Sequence, residues 1–167
     1  MLTHSELNAK KYKIYIETSV VSYFVSRPSR DIVIAGHQVA TQALWDMLTE
    51  FEVYISDMVL QEASRGDQSQ AQARLQALAG FSVLEMDDEA KKLAQKFILH
   101  SAVPENSLED ALHIAIAAVN GINAIVTWNF KHINNPFTKT MIREIIENNG
   151  YVYPEICSPD ELMGDKP

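Results

Sequence analysis

The stretch ENSLEDALHIAIAAVNGINAIVTWNF, residues 105–130, carries most of the information about the fold. Between positions 111 and 119 the one polar side chain is His113, which is typical of a helix buried on nearly all sides. Ser107 is a candidate N-cap of this helix, and Gly121 is expected to end it. The apolar run AIVT follows. The segment therefore predicts a central helix that leads into a buried strand.

The rest of the chain alternates between short β-rich runs and longer stretches of helical period. Apolar residues with helical spacing occupy residues 31–50, 71–80 and 87–100. Strands that alternate with helices are typical of an α/β fold with a mostly parallel sheet. The predicted strands are KIYIE (13–17), FEVYIS (51–56), FSVLEM (81–86), NAIVTW (123–128) and GYVYP (150–154).

The composition indicates one soluble domain. The 167 residues are enough to bury a core, and the single cysteine excludes an internal disulfide and a cysteine-rich zinc site. With 14 basic and 22 acidic residues, the net charge of −8 argues against a protein that coats nucleic acid nonspecifically. It would suit a basic partner segment.

The termini are expected to be polar extensions. Residues 1–12 are too polar for a secretory signal, and no run of 18 apolar residues predicts a membrane span. We therefore expect a cytoplasmic protein without membrane contact. The expected organisation is an extension over 1–12, a domain over 13–153 and a loosely held tail over 154–167.

Four polar residues are predicted to meet at one edge of the sheet. Glu17 ends the first strand, Glu62 lies in the helix after the second, Asp110 lies in the first turn of the central helix, and Asn129 follows the fourth strand. Ligands of open parallel sheets bind beyond the carboxyl ends of the strands. Acids that converge there would form an oxygen-ligand site suited to Mg²⁺ or Mn²⁺. The glycines form no phosphate-binding loop.

The first two acids also have purely structural interpretations. Glu17 could open a strand-to-helix turn in which Thr18 caps the helix. Glu62 could pair with Arg65 three residues later on a solvated face.

The residues of the central segment have such interpretations too. Asp110 lies three residues after Ser107, which is the spacing of a capping box. Asn129 could be an ordinary turn residue. His113, one turn after Asp110, could be a ligand or general base, or simply a packed histidine with a hydrogen bond.

The order of these motifs resembles the PIN-domain family of metal-dependent ribonucleases, which includes VapC-type toxins. The resemblance runs from about Lys13 to Tyr153. It is carried by ETS (17–19), the helix acid Glu62, DALHIAIAA (110–118) and IVTWNFKHI (125–133). It implies a single domain with a five-stranded parallel sheet and helices on both faces.

The resemblance also implies roles for residues at the matching positions. Glu17, Glu62 and Asp110 would be the catalytic, metal-binding acids, supported by the hydroxyl of Thr18 or Ser19. Thr127 and Asn129 would occupy the fourth position. Glu17 is one methylene longer than the family's usual aspartate, and Asn129 is neutral where an aspartate is common.

The expected activity is Mg²⁺- or Mn²⁺-dependent endoribonuclease cleavage, and the protein would be a candidate toxin with an antitoxin partner. Homodimers are common in the family. The alternative is a PIN-like module with weakened chemistry that binds a protein or RNA. Trp128 and Phe130 could stack a base or belong to the core. Candidates for phosphate contact are Arg27, Arg30, Arg65, Lys131 and His132.

Overall fold

The computed structural model of the protein describes residues 11–164. Its strands are β1 Lys13–Ile16, β2 Glu52–Ser56, β3 Ser82–Leu84, β4 Ala124–Val126 and β5 Glu155–Cys157. Its helices are α1 Thr18–Val25, α2 Ile32–Asp46, α3 Asp57–Ala63, α4 Gln68–Leu78, α5 Asp88–Leu99, α6 Leu108–Val119, α7 Pro136–Asn148 and α8 Pro159–Met163. A 3₁₀ turn, Leu48–Glu50, follows α2.

The five strands form one parallel sheet in the order β3-β2-β1-β4-β5, with helices on both faces. The predicted α/β fold is therefore confirmed. Strand β1 lies at the centre, where Tyr15 pairs with Tyr54 of β2 and with Ile125 of β4. Its residues Ile14, Tyr15 and Ile16 are fully buried, so the residue that follows β1 emerges from the middle of the sheet edge.

Helix α6 is the buried helix that the sequence predicts. All of its residues from Ala111 to Ala118 are buried, His113 included, and it packs against α5 and α3. Ser107 occupies the N-cap position but makes no side-chain capping bond. Past the C-cap, Gly121 adopts φ +67°, a left-handed conformation that favours glycine. The helix therefore ends before the chain enters β4.

The fifth strand lies later than predicted. Residues 150–154 are not a strand, because Gly150 has φ +84° and the Tyr151 amide donates to the Ile146 carbonyl, which completes the end of α7. Strand β5 begins at Glu155 instead, where Ile156 and Cys157 pair with β4. The aromatic and β-branched residues of GYVYP favour a strand by propensity, but Val152 is exposed.

The expected loose tail is wrong for the residues that follow Pro154. Cys157, Ser158 and Pro159 are buried, and α8 packs against α2. Ser158 and Glu161 form a capping box, in which the Glu161 carboxylate accepts from the Ser158 amide at 3.0 Å. Most of the expected N-terminal extension lies outside the described residues, as do the last three positions. No helix among residues 11–164 could span a membrane.

Candidate acidic site

Glu17 lies where β1 meets α1, with 5% of its surface exposed. It is the N-cap of α1, and its Oε2 accepts from the Ser19 amide at 2.5 Å. Its Oε1 accepts from the Thr127 hydroxyl at 2.7 Å. Thr127 follows β4, the neighbour of β1 in the sheet. The carboxyl ends of the two central strands are therefore joined through Glu17.

Glu62 is held by residues from two other elements. Its Oε1 accepts from the Thr18 hydroxyl at 2.7 Å and from Nε2 of His113. On the other side of the imidazole, Nδ1 shares a 2.6 Å hydrogen bond with the hydroxyl of Tyr15. That hydroxyl also bonds to Ser56 Oγ at 2.7 Å. A buried polar chain thus runs from the end of β2 through β1 and α6 to Glu62.

Asp110 contacts the loop that follows β4. Its Oδ1 accepts from Asn129 Nδ2 at 3.1 Å, and its Oδ2 lies 3.0 Å from Nδ1 of His132. The Oδ1 of Asn129 accepts from the His132 amide at 3.0 Å, and the Asn129 amide donates to Thr127 Oγ1 at 2.9 Å. Asp110 is therefore linked to Glu17 through Asn129 and Thr127.

His113 is almost fully buried and contacts Glu62. Burial alone would lower the pKa of His113, but the hydrogen bond to Glu62 and the charges of Glu17, Glu62 and Asp110 raise it. For Glu62, burial would raise the pKa, and the contacts with His113 and Thr18 lower it instead. Both shifts favour an ionised pair of His113 and Glu62.

No lysine or arginine within residues 11–164 forms an ion pair with the three acids of this site. Within residues 11–164, the ion pairs of Glu62 and Asp110 are with histidines, and Glu17 has none. In the same residues, no three His, Cys, Asp or Glu side chains converge as they stand on a common metal position. The donors are nevertheless hard carboxylate oxygens, which fit Mg²⁺ or Mn²⁺. A buried, unbalanced carboxylate such as Glu17 also favours a nearby cation.

Three structural interpretations of these residues are wrong. Glu17, not Thr18, caps α1, and Thr18 instead donates to Glu62. Arg65 pairs with Glu109 at 2.8 Å, not with Glu62. Ser107 and Asp110 form no capping box, because the Ser107 side chain makes no capping bond.

The other predicted residues fall into three groups: hydroxyls, aromatic rings and basic side chains. Ser19 Oγ accepts from the Trp128 amide at 2.9 Å, and Thr127 bonds to Glu17, so both hydroxyls are in direct contact with the site's framework. Trp128 is buried, whereas Phe130 is 45% exposed. The candidates for phosphate contact on the surface are Arg27, Arg30, Arg65 and Lys131.

The sequence did not single out Tyr15 and Ser56, and it gave His132 a different role. The one signal for Tyr15 is its place inside a fully buried strand, because a buried hydroxyl needs a hydrogen-bond partner. His132 was expected to meet phosphate, yet it contacts Asp110. Its position three residues after Asn129 lets its amide bond to the Asn129 side chain.

Replacing Tyr15 with phenylalanine is expected to lower the free energy of unfolding by about 1–3 kcal/mol, because His113 and Ser56 each lose a buried partner. Urea denaturation measures the change. Tyr12→Phe is the matched control, since that hydroxyl is exposed and makes a 3.5 Å contact. Equal losses in the two variants would contradict the importance of the buried chain.

A parallel α/β sheet with three hydrogen-bonded acids at its carboxyl edge defines a class of small domain with a candidate hydrolytic site. The family model of the PIN domain matches residues 14–134. The chain therefore belongs to the PIN domain family. The matched residues include Glu17, Glu62, Asp110 and Asn129.

Solved structures of the same fold include two from bacterial VapC systems. VapC20 from Mycobacterium tuberculosis, a sarcin-ricin loop cleaving toxin, is 17% identical with a TM-score of 0.53; the match covers 83% of this chain and 96% of that one. VapBC2 from Rickettsia felis, bound to a promoter DNA fragment, is 15% identical with a TM-score of 0.54; the match covers 86% and 97%. No curated protein sequence matches the chain.

Proposed function

We propose that the protein is a metal-dependent endoribonuclease that hydrolyses RNA phosphodiester bonds. The observation that carries the proposal is a set of three carboxylates from three separate elements, held by hydrogen bonds at the carboxyl edge of the sheet. Thr127 and Asn129 link Glu17 to Asp110, and Thr18 and His113 hold Glu62. Histidines and hydroxyls hold these carboxylates. None of the three has a lysine or arginine as an ion-pair partner in the described residues. Membership of the PIN family supports the same chemistry.

Glu17, Glu62 and Asp110 would hold Mg²⁺ or Mn²⁺ in this proposal. When bound, such an ion lowers the pKa of a coordinated water and stabilises the negative charge that develops on the phosphate. The residues of the chain would orient the ligands: Thr127 and the Ser19 amide hold Glu17, whereas Thr18 and His113 hold Glu62.

Asn129 has two roles in the proposed site. Its Nδ2 holds Asp110, and its Oδ1 already accepts from the His132 amide. A fourth ligand at this position would use the second lone pair of that oxygen. The three acids do not share one metal position in the described residues, so holding an ion jointly would require their side chains to turn.

The test uses the purified full-length protein and single-stranded RNA. We expect cleavage with Mn²⁺ or Mg²⁺ and none with EDTA, and we expect Mn²⁺ binding by isothermal titration calorimetry. Intact RNA in every metal condition, with circular dichroism showing a folded protein, would contradict the proposal.

A toxin role with an antitoxin partner is the finer part of the proposal. The fold shared with VapC20 and VapBC2 supports it, and the net charge of −8 would favour a basic partner segment. Expression with the neighbouring gene, followed by copurification and a growth assay, tests the pair. Light scattering of the purified chain tests the expected homodimer.

The second candidate is a PIN module that binds a partner without cutting RNA. Two observations favour it: Asn129 is neutral, and no described set of acids forms a ready metal cluster. Absence of Mn²⁺ binding at millimolar concentration, together with a stable protein partner, would support this candidate over the nuclease.

A further inference from the structure

Four aromatic rings form a row beside the acidic site. His37 of α2 stacks on Trp128, with ring centroids 4.0 Å apart and planes at 16°. Phe130 lies 6.0 Å from each of these rings, and Tyr23 of α1 lies 5.6 Å from His37. Trp128 is buried, whereas Phe130 is exposed. Phe130 is therefore the ring of the row that is open to a ligand.

The row is fixed to the acids through the backbone. Trp128 lies between Thr127, which bonds to Glu17, and Asn129, which bonds to Asp110. The Trp128 amide donates to Ser19 Oγ at 2.9 Å, and its indole Nε1 donates to Thr41 at 2.8 Å. Phe130 is therefore held at a defined position, one residue beyond Asn129.

A cavity of about 290 Å³ between α1 and α2 adjoins Tyr23 of the row. Tyr23 belongs to both the row and the cavity wall. The wall residues are Ser22, Tyr23, Ser26, Arg27, Ser29, Ile34 and Gln38. This volume is just below the range of about 300–1,000 Å³ that is typical of ligand pockets.

The cavity wall contains an unpaired cation on an ordered loop. Arg27 has no ion pair within residues 11–164. Gln38 holds the loop in place, since its Nε2 donates to Ser26 Oγ at 2.7 Å and to the Arg27 carbonyl at 2.8 Å. Its Oε1 accepts from the Ser29 amide at 3.0 Å. The backbone at Arg27 is therefore held in place by the fold.

One polar atom of the row lacks a hydrogen-bond partner. Nδ1 of His37 is the one side-chain nitrogen or oxygen among the described residues that is buried without a hydrogen-bond partner. Most buried polar atoms in a closed structural core are satisfied. His37 therefore has a buried ring nitrogen whose hydrogen-bonding capacity the described residues do not use.

We propose that the aromatic row and the cavity form a binding subsite for a nucleotide of single-stranded RNA next to the cleaved bond. A base stacks on Phe130, and a backbone phosphate contacts Arg27. The inference rests on the proposed nuclease function, because it takes RNA as the substrate. Stacking on an aromatic face combined with a nearby cation is how proteins bind single strands without reading their sequence.

The first test measures binding of a fluorescein-labelled single-stranded RNA by anisotropy in EDTA, so that no cleavage occurs. Phe130→Ala is expected to weaken binding about tenfold, as expected for the loss of one base–aromatic stack. Phe137→Ala is the matched control, because Phe137 is 83% exposed at the start of α7 and belongs to neither row nor cavity. Equal affinity of Phe130→Ala and the wild type would overturn the subsite.

The second test uses the salt dependence of the same binding. Each phosphate contact to a single strand contributes about 0.7 to the slope of log K against log salt. Arg27→Ala is expected to reduce the slope by about that amount, and Arg143→Ala, on α7 and paired with Glu147, is expected to leave it unchanged. An unchanged slope in Arg27→Ala would overturn the phosphate contact.

The outcomes distinguish a failure of the proposed subsite from a failure of the proposed nuclease activity. Metal-dependent cleavage with normal RNA binding in both variants would overturn the subsite and leave the proposed function intact. RNA binding that depends on Phe130 and Arg27, without cleavage in any metal, would support the subsite and contradict the nuclease. Absence of RNA binding by the wild-type protein would overturn the subsite.

Discussion

Replacing Asp110 with asparagine is expected to reduce metal-dependent RNA cleavage by roughly 10²–10³-fold, the scale seen when one group that stabilises transition-state charge is lost. The variant keeps the size of the side chain but removes its negative charge. In the wild-type protein, Asn129 Nδ2 and His132 Nδ1 each contact one carboxylate oxygen of Asp110. The variant places an amide opposite these two groups. Initial rates in Mn²⁺ and the Mn²⁺ affinity by calorimetry measure the loss.

Asp88→Asn is the matched control for this experiment. Asp88 is an exposed acid in the first turn of α5, so its replacement also removes a carboxylate from a helix start. It lies outside the candidate site and should leave cleavage unchanged. Full activity of Asp110→Asn, or equal losses in both variants, would contradict a direct role for Asp110.

Replacing Ile114 with alanine is expected to lower the free energy of unfolding by about 2–5 kcal/mol, the usual cost of truncating a large aliphatic side chain in a core. Ile114 has no exposed surface and lies in the middle of α6. Guanidinium denaturation followed by circular dichroism measures the change. The m-value should stay constant, because the surface exposed on unfolding hardly changes.

Leu108→Ala provides the comparison within the same helix. Leu108 is the first residue of α6 and is 45% exposed, so its truncation should change the free energy of unfolding by about 0.5 kcal/mol or less. A loss in Ile114→Ala as small as that in Leu108→Ala would show that α6 is not tightly packed on the sheet.

The sequence was sufficient to predict those elements whose burial leaves a strong periodic pattern of apolar residues. A helix with a single polar residue between positions 111 and 119 is expected to be buried in the core, and α6 is buried there. Strand β5 has no comparable signal, since it is three residues long and begins with a glutamate. Its place is decided by pairing with β4, a tertiary interaction that local propensity does not report.

The acids of the candidate site could be chosen from their positions at strand ends, but their contacts could not. Thr127 and Glu17 are 110 residues apart, and Tyr15 and His113 are 98 residues apart. Such pairs depend on the order of strands in the sheet and on the rotation of α6. The buried chain from Ser56 to Glu62 and the contact of His132 with Asp110 therefore became visible only in three dimensions.

The two outer strands of the sheet, β3 and β5, are each three residues long. A foreign strand that added to either one would gain few backbone hydrogen bonds, and short edges are a known means by which proteins avoid aggregation. This sheet is therefore a poor template for fibril-like growth. Any assembly of two copies is expected to use surfaces other than these two outer strands.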